Sequence, residues 1–325
     1  MSEDDRFQAP WNFLGLAGPA ASRQQARAWV LPVPYEATTS YGAGARDGPA
    51  AIVDASRQVE LFDREFDCEP AMQYGVHTLP SLGPVHRSPE AMVEAIEGAV
   101  GDLLGGRPAP EVLAILGGEH TISAGVVRGL ARHAPPRSLV AVQIDANADL
   151  RDEYEGTPFS HACAARRILD VCPVFQVGIR NISASEEPFR RRCRRVRTVF
   201  AEDAASPRGA FLKDLAAFVR GKTVFLTIDL DGLDPSIMPA VGTPEPGGLD
   251  WGRTLDVVRT VCRSAARVPV FDVVELAPIP GLHAPDFLAA TLVYRILSLL
   301  LMPSPAGSDS AGGRGRGTSG RTTVE

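Results

Sequence analysis

The sequence lacks the features of a disulfide-stabilised or nucleic-acid-binding protein. Its five cysteines are an odd number among 325 residues, and no two form a Cys-x-x-Cys pair. This pattern indicates reduced thiols instead of a disulfide framework or a zinc ribbon. The net charge of −6 argues against a sequence-independent nucleic-acid binder. The one basic cluster, residues 190–197, is expected to be a solvated surface.

A targeting segment and a long apolar run are also missing. Residues 1–6 are acidic and polar, whereas a signal peptide begins basic and then becomes apolar. No window holds 18 uninterrupted apolar residues, and the richest one, residues 297–302, is too short to span a bilayer. We therefore expect a cytoplasmic protein with neither a membrane nor a nucleic-acid partner.

The chain instead shows a repeated alternation of apolar strands, polar loops and helices. Strands are predicted over residues 28–33, 111–116, 140–144, 174–179, 196–200, 223–231 and 268–276, and helices over 50–59 and 90–104. Continuous apolar runs that alternate with helices indicate an α/β protein with a mostly parallel sheet covered on both faces. The Gly-rich loop 34–49 has no nucleotide-binding spacing, so a nucleotide ligand is not expected.

Acidic side chains follow two of these strands. Asp145, Asn147 and Asp149 occupy alternate positions after one strand, and Asp229 and Asp231 do so after another. In an extended chain, positions two apart face the same side. Carboxylates gathered in this way repel one another and lose hydration, and a bound cation relieves both costs. The pattern therefore predicts a metal site at the carboxyl ends of the strands, where ligands bind in parallel sheets.

His120 stands at a third strand end, after Gly117 and Gly118. One imidazole among carboxylates favours a hard divalent ion such as Mn²⁺ over structural zinc, which prefers thiolate and imidazole ligands. Four carboxylates are enough to hold two ions if some of them bridge.

Taken together, the motifs resemble the ureohydrolase family, which includes arginase and agmatinase, and the pattern is closest to agmatinase. The resemblance runs from about Val33 to Leu301 and rests on Gly117–His120, Asp145–Asp149, Ser160–Ala162, Asp229–Pro235 and Gly242–Leu249. It implies a three-layer α/β/α fold, a pair of Mn²⁺ ions, and hydrolysis of a guanidino group to urea and an amine.

The resemblance also implies roles for individual residues. His161 matches the family's proton-shuttling histidine, and Glu275 matches the carboxylate that contacts the substrate guanidinium. By the same resemblance, Asp145 and Asp229 are expected to bridge the two ions. The expected ligands of one ion are His120, Asp145, Asp149 and Asp229, and those of the other are Asp145, Asn147, Asp229 and Asp231.

Asn147 departs from the family pattern, which has histidine at this position. A neutral amide oxygen is a weaker ligand than imidazole, so the second ion is expected to bind less tightly. Three outcomes remain open: a two-metal enzyme with a labile second site, a one-metal enzyme of altered chemistry, or a weakly active or non-catalytic relative. We expect hydrolase activity that requires added Mn²⁺.

The loop after the first metal motif resembles that of agmatinases, so agmatine, which yields putrescine, is the expected substrate. Asp152 is placed to attract the far ammonium of agmatine, whereas Arg151 suits a carboxylate and keeps 4-guanidinobutanoate as an alternative. A one-zinc deacetylase of related fold is disfavoured by the four carboxylates.

The expected organisation is an N-terminal extension over residues 1–25, lying on the surface or on a neighbouring subunit. The catalytic domain follows over residues 26–303, and a disordered Gly/Arg/Ser-rich tail over 304–325. Family members form homo-oligomers, so a trimer or hexamer is expected.

Overall fold

Eight strands form one sheet in which every neighbouring pair is parallel. The structure is a computed structural model that describes residues 10–303, except residues 136, 207 and 208. The strands are β1 (Ala28–Val33), β2 (Val76–Thr78), β3 (Val112–Gly117), β4 (Leu139–Ile144), β5 (Val174–Ile179), β6 (Val196–Phe200), β7 (Thr223–Asp229) and β8 (Arg267–Val274).

Ten α-helices connect and cover these strands within the described residues. They are α1 (Gly48–Ser56), α2 (Pro70–Tyr74), α3 (Pro89–Gly105), α4 (Ile122–Ala131), α5 (Ala164–Val171), α6 (Glu187–Arg192), α7 (Ala201–Ala204), α8 (Phe211–Val219), α9 (Trp251–Ser264) and α10 (Ala284–Leu301). Local chemistry defines the helix starts: Ser88 caps α3 by accepting a hydrogen bond from the Ala91 amide, and Asp250 caps α9.

Successive side chains along the strands enter two separate apolar cores, one on each face of the sheet. In β1, Ala28 and Val30 belong to the core beneath α1, α8, α9 and α10, whereas Trp29 and Leu31 belong to the core beneath α3, α4 and α5. This alternation follows from the period of two in an extended chain. The predicted three-layer α/β/α fold with a parallel sheet is therefore confirmed.

The spatial strand order is β2-β1-β3-β8-β7-β4-β5-β6. The last strand of the chain, β8, lies between β3 and β7. As a result, β3, β8, β7 and β4 are consecutive neighbours in the middle of the sheet. These are the strands that precede the candidate residues, so the topology gathers those residues at one edge.

Several local expectations from the sequence differ from the structure. The short strand β2 was not predicted, and β7 ends at Asp229, so that Asp231 lies in a 3₁₀ turn over Leu230–Gly232. The segment 1–25 was expected to lie on the surface or on a neighbouring subunit, but its described part places Phe13, Leu14 and Leu16 in the apolar core of this chain. The predicted tail over 304–325 lies outside the described residues.

The helix α10 was also not predicted, and within the described chain it is the one helix long and apolar enough to cross a membrane by length and composition. It packs against α1 and α9, and its buried side chains belong to the core. Arg295 within it forms ion pairs with Asp63 and Glu65. These contacts account for its apolar composition through packing in the core.

Candidate metal centre and active site

His120 is the nitrogen-bearing side chain of the candidate metal centre. It follows β3, where Gly118 lets the backbone pass so close to Tyr35 that a Cβ at Gly118 would lie 2.0 Å from the Tyr35 carbonyl oxygen. The His120 ring is buried, and its Nε2 lies 3.0 Å from the Thr227 hydroxyl oxygen. The Ser123 hydroxyl donates to Asp272 at 2.7 Å and lies 3.4 Å from the Thr227 hydroxyl. Because the Ser123 proton is used on Asp272, the Thr227 hydroxyl donates to Ser123 and accepts from Nε2–H.

The other ring nitrogen of His120 faces three carboxylates. Its Nδ1 lies 3.1 Å from an oxygen of Asp145 and 3.2 Å from oxygens of Asp149 and Asp229. Nevertheless, this buried nitrogen makes no hydrogen bond. Burial lowers the pKa of His120, but the three carboxylates raise it well above its usual value, so a positive charge is favoured at Nδ1. With the proton on Nε2, Nδ1 presents a lone pair beside three carboxylate oxygens, so the donors fit a divalent metal ion in place of a proton.

A second cluster adjoins the first. One ligand atom from each of Asp145, Asp229 and Asp231 lies within 4.8 Å of the others, and Asp145 also belongs to the first cluster. Backbone amides hold the carboxylates in place: the amide of Ala146 donates to Asp231 at 3.0 Å, and that of Asp231 donates to Asp229 at 2.9 Å. All five predicted acidic and histidine ligands are therefore brought together.

Burial dominates the electrostatics of these carboxylates. It raises the pKa of Asp149 and of Asp231 well above the ordinary value and also raises the pKa of Asp229, and in each case a neighbouring aspartate raises it further. Full ionisation of the cluster therefore requires a compensating positive charge.

The extended-strand argument for residues 145–149 was only partly correct. Strand β4 ends at Ile144, and Asp149 adopts a left-handed backbone conformation with φ 51°. The carboxylates converge because the loop turns, and not because the strand continues. Asn147 lines the small cavity beside these carboxylates. Its side-chain amide nitrogen, and not its oxygen, is directed to Asp231, at 2.6 Å.

His161 lines a small inner cavity, of about 30 Å³, that His120, Asp149 and Asp229 also line. Its ring nitrogens contact two hydroxyl oxygens: Nδ1 lies 3.3 Å from that of Thr38, and Nε2 lies 3.3 Å from that of Ser40. Burial lowers the pKa of His161, so the ring is neutral at pH 7 and can accept a proton.

Glu275 follows β8 in a left-handed conformation with φ 68°. Its amide donates to the carbonyl of Gly118 at 2.8 Å, and its carboxylate accepts from the His120 amide at 2.6 Å. These bonds connect the ends of β3 and β8 and direct the carboxylate to the inner cavity. Burial, followed by the charge of Asp229, raises the pKa of Glu275 well above its usual value. A bound guanidinium would favour the ionised form.

A wider outer cavity, of about 190 Å³, shares Asn147, Asp149 and His161 with the inner one. Arg151 lines the outer cavity, with its guanidinium 4.8 Å from the ring centroid of Tyr154 and 3.9 Å from a carboxylate oxygen of Glu186. Arg151 therefore lies at a cavity that adjoins the inner one.

The structure does not bring Asp152 to either cavity. Its carboxylate is 73% exposed and bonds to Arg167 at 2.8 Å and to Arg166 at 3.3 Å. The loop therefore turns Asp152 towards helix α5 and not towards the substrate space.

Four supporting residues were not identified from the sequence. Thr227 and Asp272 lie inside strands, where a single polar residue in an apolar run was the available signal. Glu119 fixes the loop that carries Thr38 by accepting from the amides of Ala37 and Thr38 at 2.7 Å. It lies directly before His120, so its place in the Gly-Gly-Glu-His motif was the signal. Asn181 carried no signal, because its importance depends on the pairing of two loops.

Together, the parallel sheet and the cation-binding donors at its carboxyl edge define an α/β protein with a metal centre at the strand ends. Comparison with known proteins agrees: an arginase-family model matches residues 26–298. The chain belongs to the arginase family. The resemblance to ureohydrolases, and within them to agmatinase, is thereby confirmed.

Individual relatives cover most of both chains. The N(1)-aminopropylagmatine ureohydrolase of Synechocystis sp. is 37% identical over 82% of this chain and 87% of its own. The agmatinase of Bacillus cereus is 32% identical over 79% and 86%, respectively. Among solved structures, the agmatine ureohydrolase of Thermoplasma volcanium superposes with a TM-score of 0.78 and 26% identity, over 92% of this chain and 97% of that one.

Proposed function

We propose that the chain hydrolyses the guanidino group of a small alkylguanidine, with agmatine, which would yield putrescine and urea, as the first candidate. Family membership makes it a hydrolase acting on C–N bonds of linear amidines. The observation that carries the proposal is the unpaired Nδ1 of His120, which faces three carboxylates at the cavity that Glu275 also lines.

Two Mn²⁺ ions are the proposed cofactors. Oxygen ligands with a single imidazole suit Mn²⁺ better than a structural zinc site. When bound, such ions lower the pKa of water enough to supply a hydroxide nucleophile near neutral pH. The proposed ligands of one ion are His120, Asp145, Asp149 and Asp229, and those of the other are Asp145, Asp229 and Asp231 with Asn147 beside them.

The chain's own residues do the rest of the proposed work. Glu275 accepts hydrogen bonds from the guanidinium and holds its carbon over the inner cavity, and the charges strengthen those bonds. His161 is neutral at pH 7, accepts a proton on a ring nitrogen and returns it to the departing amine. Thr38 and Ser40 hold its ring at the cavity wall.

Two observations favour other substrate tails. The relative with 37% identity is named for N(1)-aminopropylagmatine, which adds an aminopropyl group to agmatine. Arg151, in contrast, lines the outer cavity and suits a carboxylate, as in 4-guanidinobutanoate. A weakly active or non-catalytic relative is the remaining alternative, because of Asn147.

A substrate panel tests the proposal. Purified protein with added Mn²⁺ is incubated with agmatine, N(1)-aminopropylagmatine, 4-guanidinobutanoate and arginine, and urea is measured. We expect urea from one of the two agmatines, and none from the Asp229→Asn control, which removes a shared ligand. Absence of urea from the entire panel would contradict the hydrolase proposal.

We also propose a cytoplasmic homo-oligomer, a trimer or a hexamer. Light scattering coupled to gel filtration measures its mass.

A further inference from the structure

A chain of hydrogen bonds runs from the surface to the second metal cluster through two asparagine side chains. The Asn181 amide nitrogen donates to Glu245 at 3.2 Å and to the Asn147 oxygen at 2.9 Å. The Asn147 amide nitrogen donates to Asp231 at 2.6 Å. The oxygen of Asn147, the only atom of that side chain able to bind a cation, is therefore occupied and directed outward.

The direction of this chain is set by its two ends. Glu245 and Asp231 are carboxylates, which only accept hydrogen bonds when ionised. A divalent cation at the His120 position would supply the positive charge that keeps Asp231 ionised. Turning the amide of Asn147 over would place its oxygen 2.6 Å from a carboxylate oxygen of Asp231 and bring two NH₂ groups together at Asn181. Turning both amides would place the Asn181 oxygen against Glu245. Each alternative places two acceptors or two donors in contact, so the observed orientation is the one in which every donor faces an acceptor.

The backbone also prevents the loops from moving apart. Asn147 pairs with Asn181 as in a parallel bridge, and the Asn147 amide donates to Asp145 at 2.6 Å. The guanidinium of Arg180 bonds to the carbonyl oxygens of Asp231 and Glu245 at 2.7 and 2.6 Å. Both ends of the hydrogen-bond chain are thus held by one residue.

We propose that Asn181 and Glu245 are positioning residues that keep Asn147 as a hydrogen-bond donor to Asp231, so that the Asp145–Asp229–Asp231 position binds its Mn²⁺ much more weakly than the His120 position. The inference rests on the proposed function, because it presupposes that the centre binds Mn²⁺. The Asn147 amide supplies a neutral donor where the second ion would supply charge, and it competes with that ion for Asp231.

The test is Mn²⁺ stoichiometry in the full-length protein. After equilibrium dialysis over a range of free Mn²⁺, bound metal is measured by elemental analysis, and electron paramagnetic resonance distinguishes an isolated Mn²⁺ from a coupled pair. We expect about one tightly held Mn²⁺ per chain and a second that binds at least about 10-fold more weakly.

Exchange of the donor and the acceptor at positions 181 and 245 reverses the direction of the hydrogen bond between residues 181 and 147. In Asn181→Asp/Glu245→Gln, the carboxylate at position 181 cannot donate and the amide at position 245 can donate to it. The Asn147 NH₂ therefore turns to position 181 and the Asn147 oxygen turns to the cluster. We expect the second Mn²⁺ to bind about 10-fold more tightly or better, and the coupled-pair signal to appear at lower free Mn²⁺. Asn147→His supplies a nitrogen ligand directly, and its gain should be at least as large.

The carboxylate introduced at position 181 is controlled by adding Asn147→Ala to this variant, which keeps the carboxylate but removes the amide oxygen of residue 147. The gain should disappear in this variant, and if it persists, simple electrostatics explains it and the inference is wrong. Two equally tight Mn²⁺ ions in the natural protein, together with urea release, would overturn this inference alone. Absence of any Mn²⁺ binding and of urea would instead overturn the proposed function.

Discussion

The hydroxyl of Thr227 offers the sharpest test of how the metal centre is built. Thr227→Val replaces that hydroxyl with a methyl group of similar size, and no ligand is removed. The His120 Nε2–H, now 3.0 Å from the hydroxyl oxygen, becomes a buried donor without an acceptor. The ring can avoid this cost by moving its proton to Nδ1, which then faces the three carboxylates in place of a metal ion.

The size of the effect follows from the cost of an unpaired buried donor, about 1–3 kcal/mol. At about 1.4 kcal/mol for each tenfold change, Mn²⁺ affinity at the His120 position should fall roughly 5- to 150-fold. This range brackets the roughly 10–100-fold cost of changing the hydrogen-bond partner of a ligand. The dissociation constant is measured by competition with a chelator of known affinity.

A matched control is Ser123→Ala. The Ser123 hydroxyl donates to Asp272 at 2.7 Å and lies 3.4 Å from that of Thr227, but it does not bond to His120. Its loss should change Mn²⁺ affinity much less. An unchanged Mn²⁺ affinity in Thr227→Val, or an equal loss of Mn²⁺ affinity in Thr227→Val and Ser123→Ala, would refute the view that Thr227 keeps the His120 proton on Nε2.

Four further predictions concern the same edge of the sheet. Glu275→Gln keeps the size of the side chain but loses the charge, so kcat/KM for a guanidino substrate should fall at least about 100-fold while Mn²⁺ binding persists. His161→Ala should lower kcat about 10²- to 10⁴-fold with unchanged Mn²⁺ stoichiometry. In the natural protein, the decrease of kcat on the acid side of the pH profile should lie below pH 6.5, because burial lowers the pKa of His161. Arg151→Gln should improve kcat/KM for cationic tails relative to 4-guanidinobutanoate, as measured by urea release. In the metal-free protein, the pKa values of Asp149 and Asp231 are raised, so these two groups stabilise the folded state below about pH 4. This contribution to stability is lost as the pH rises and the carboxylates ionise. The gain in Tm on adding Mn²⁺ should therefore grow from pH 5 to pH 8.

Each of these predictions has an outcome that contradicts it. A loss of bound Mn²⁺ in Glu275→Gln or His161→Ala would assign these residues to the metal centre and not to the substrate. Asp152→Asn serves as the control for Arg151→Gln. The Asp152 carboxylate contacts arginines of α5 and not the cavities, so its loss should not change substrate preference. A gain in Tm that is independent of pH would show that the buried carboxylates do not resist ionisation.

Much of the metal centre could be predicted from the sequence, because acidic residues directly after apolar strands are visible without a structure. The shape of the loops could not be predicted. Asp149 reaches the cluster through a left-handed turn, and Asn147 faces Asp231 because of a partner on another loop. The prediction that Asp152 faces the substrate was wrong, because its partners Arg166 and Arg167 come close to it only in the folded chain, where α5 packs beside the loop.

The order of the strands was also beyond sequence reasoning. Apolar runs predict strands and their parallel direction, but no local pattern indicates that β8 lies between β3 and β7. For the same reason, Thr227 and Asp272 looked like isolated polar residues in separate strands. Their contact with the His120 region depends on that insertion.

The late insertion of β8 has a consequence for biosynthesis. Until Arg267–Val274 has left the ribosome, the strands before it can form only two partial sheets, one containing β3 and the other containing β4 and β7. His120 belongs to the first and the aspartates to the second. The His120 cluster therefore cannot be completed before β8 is inserted, so a nascent or truncated chain that lacks β8 has the aspartates but not the complete centre.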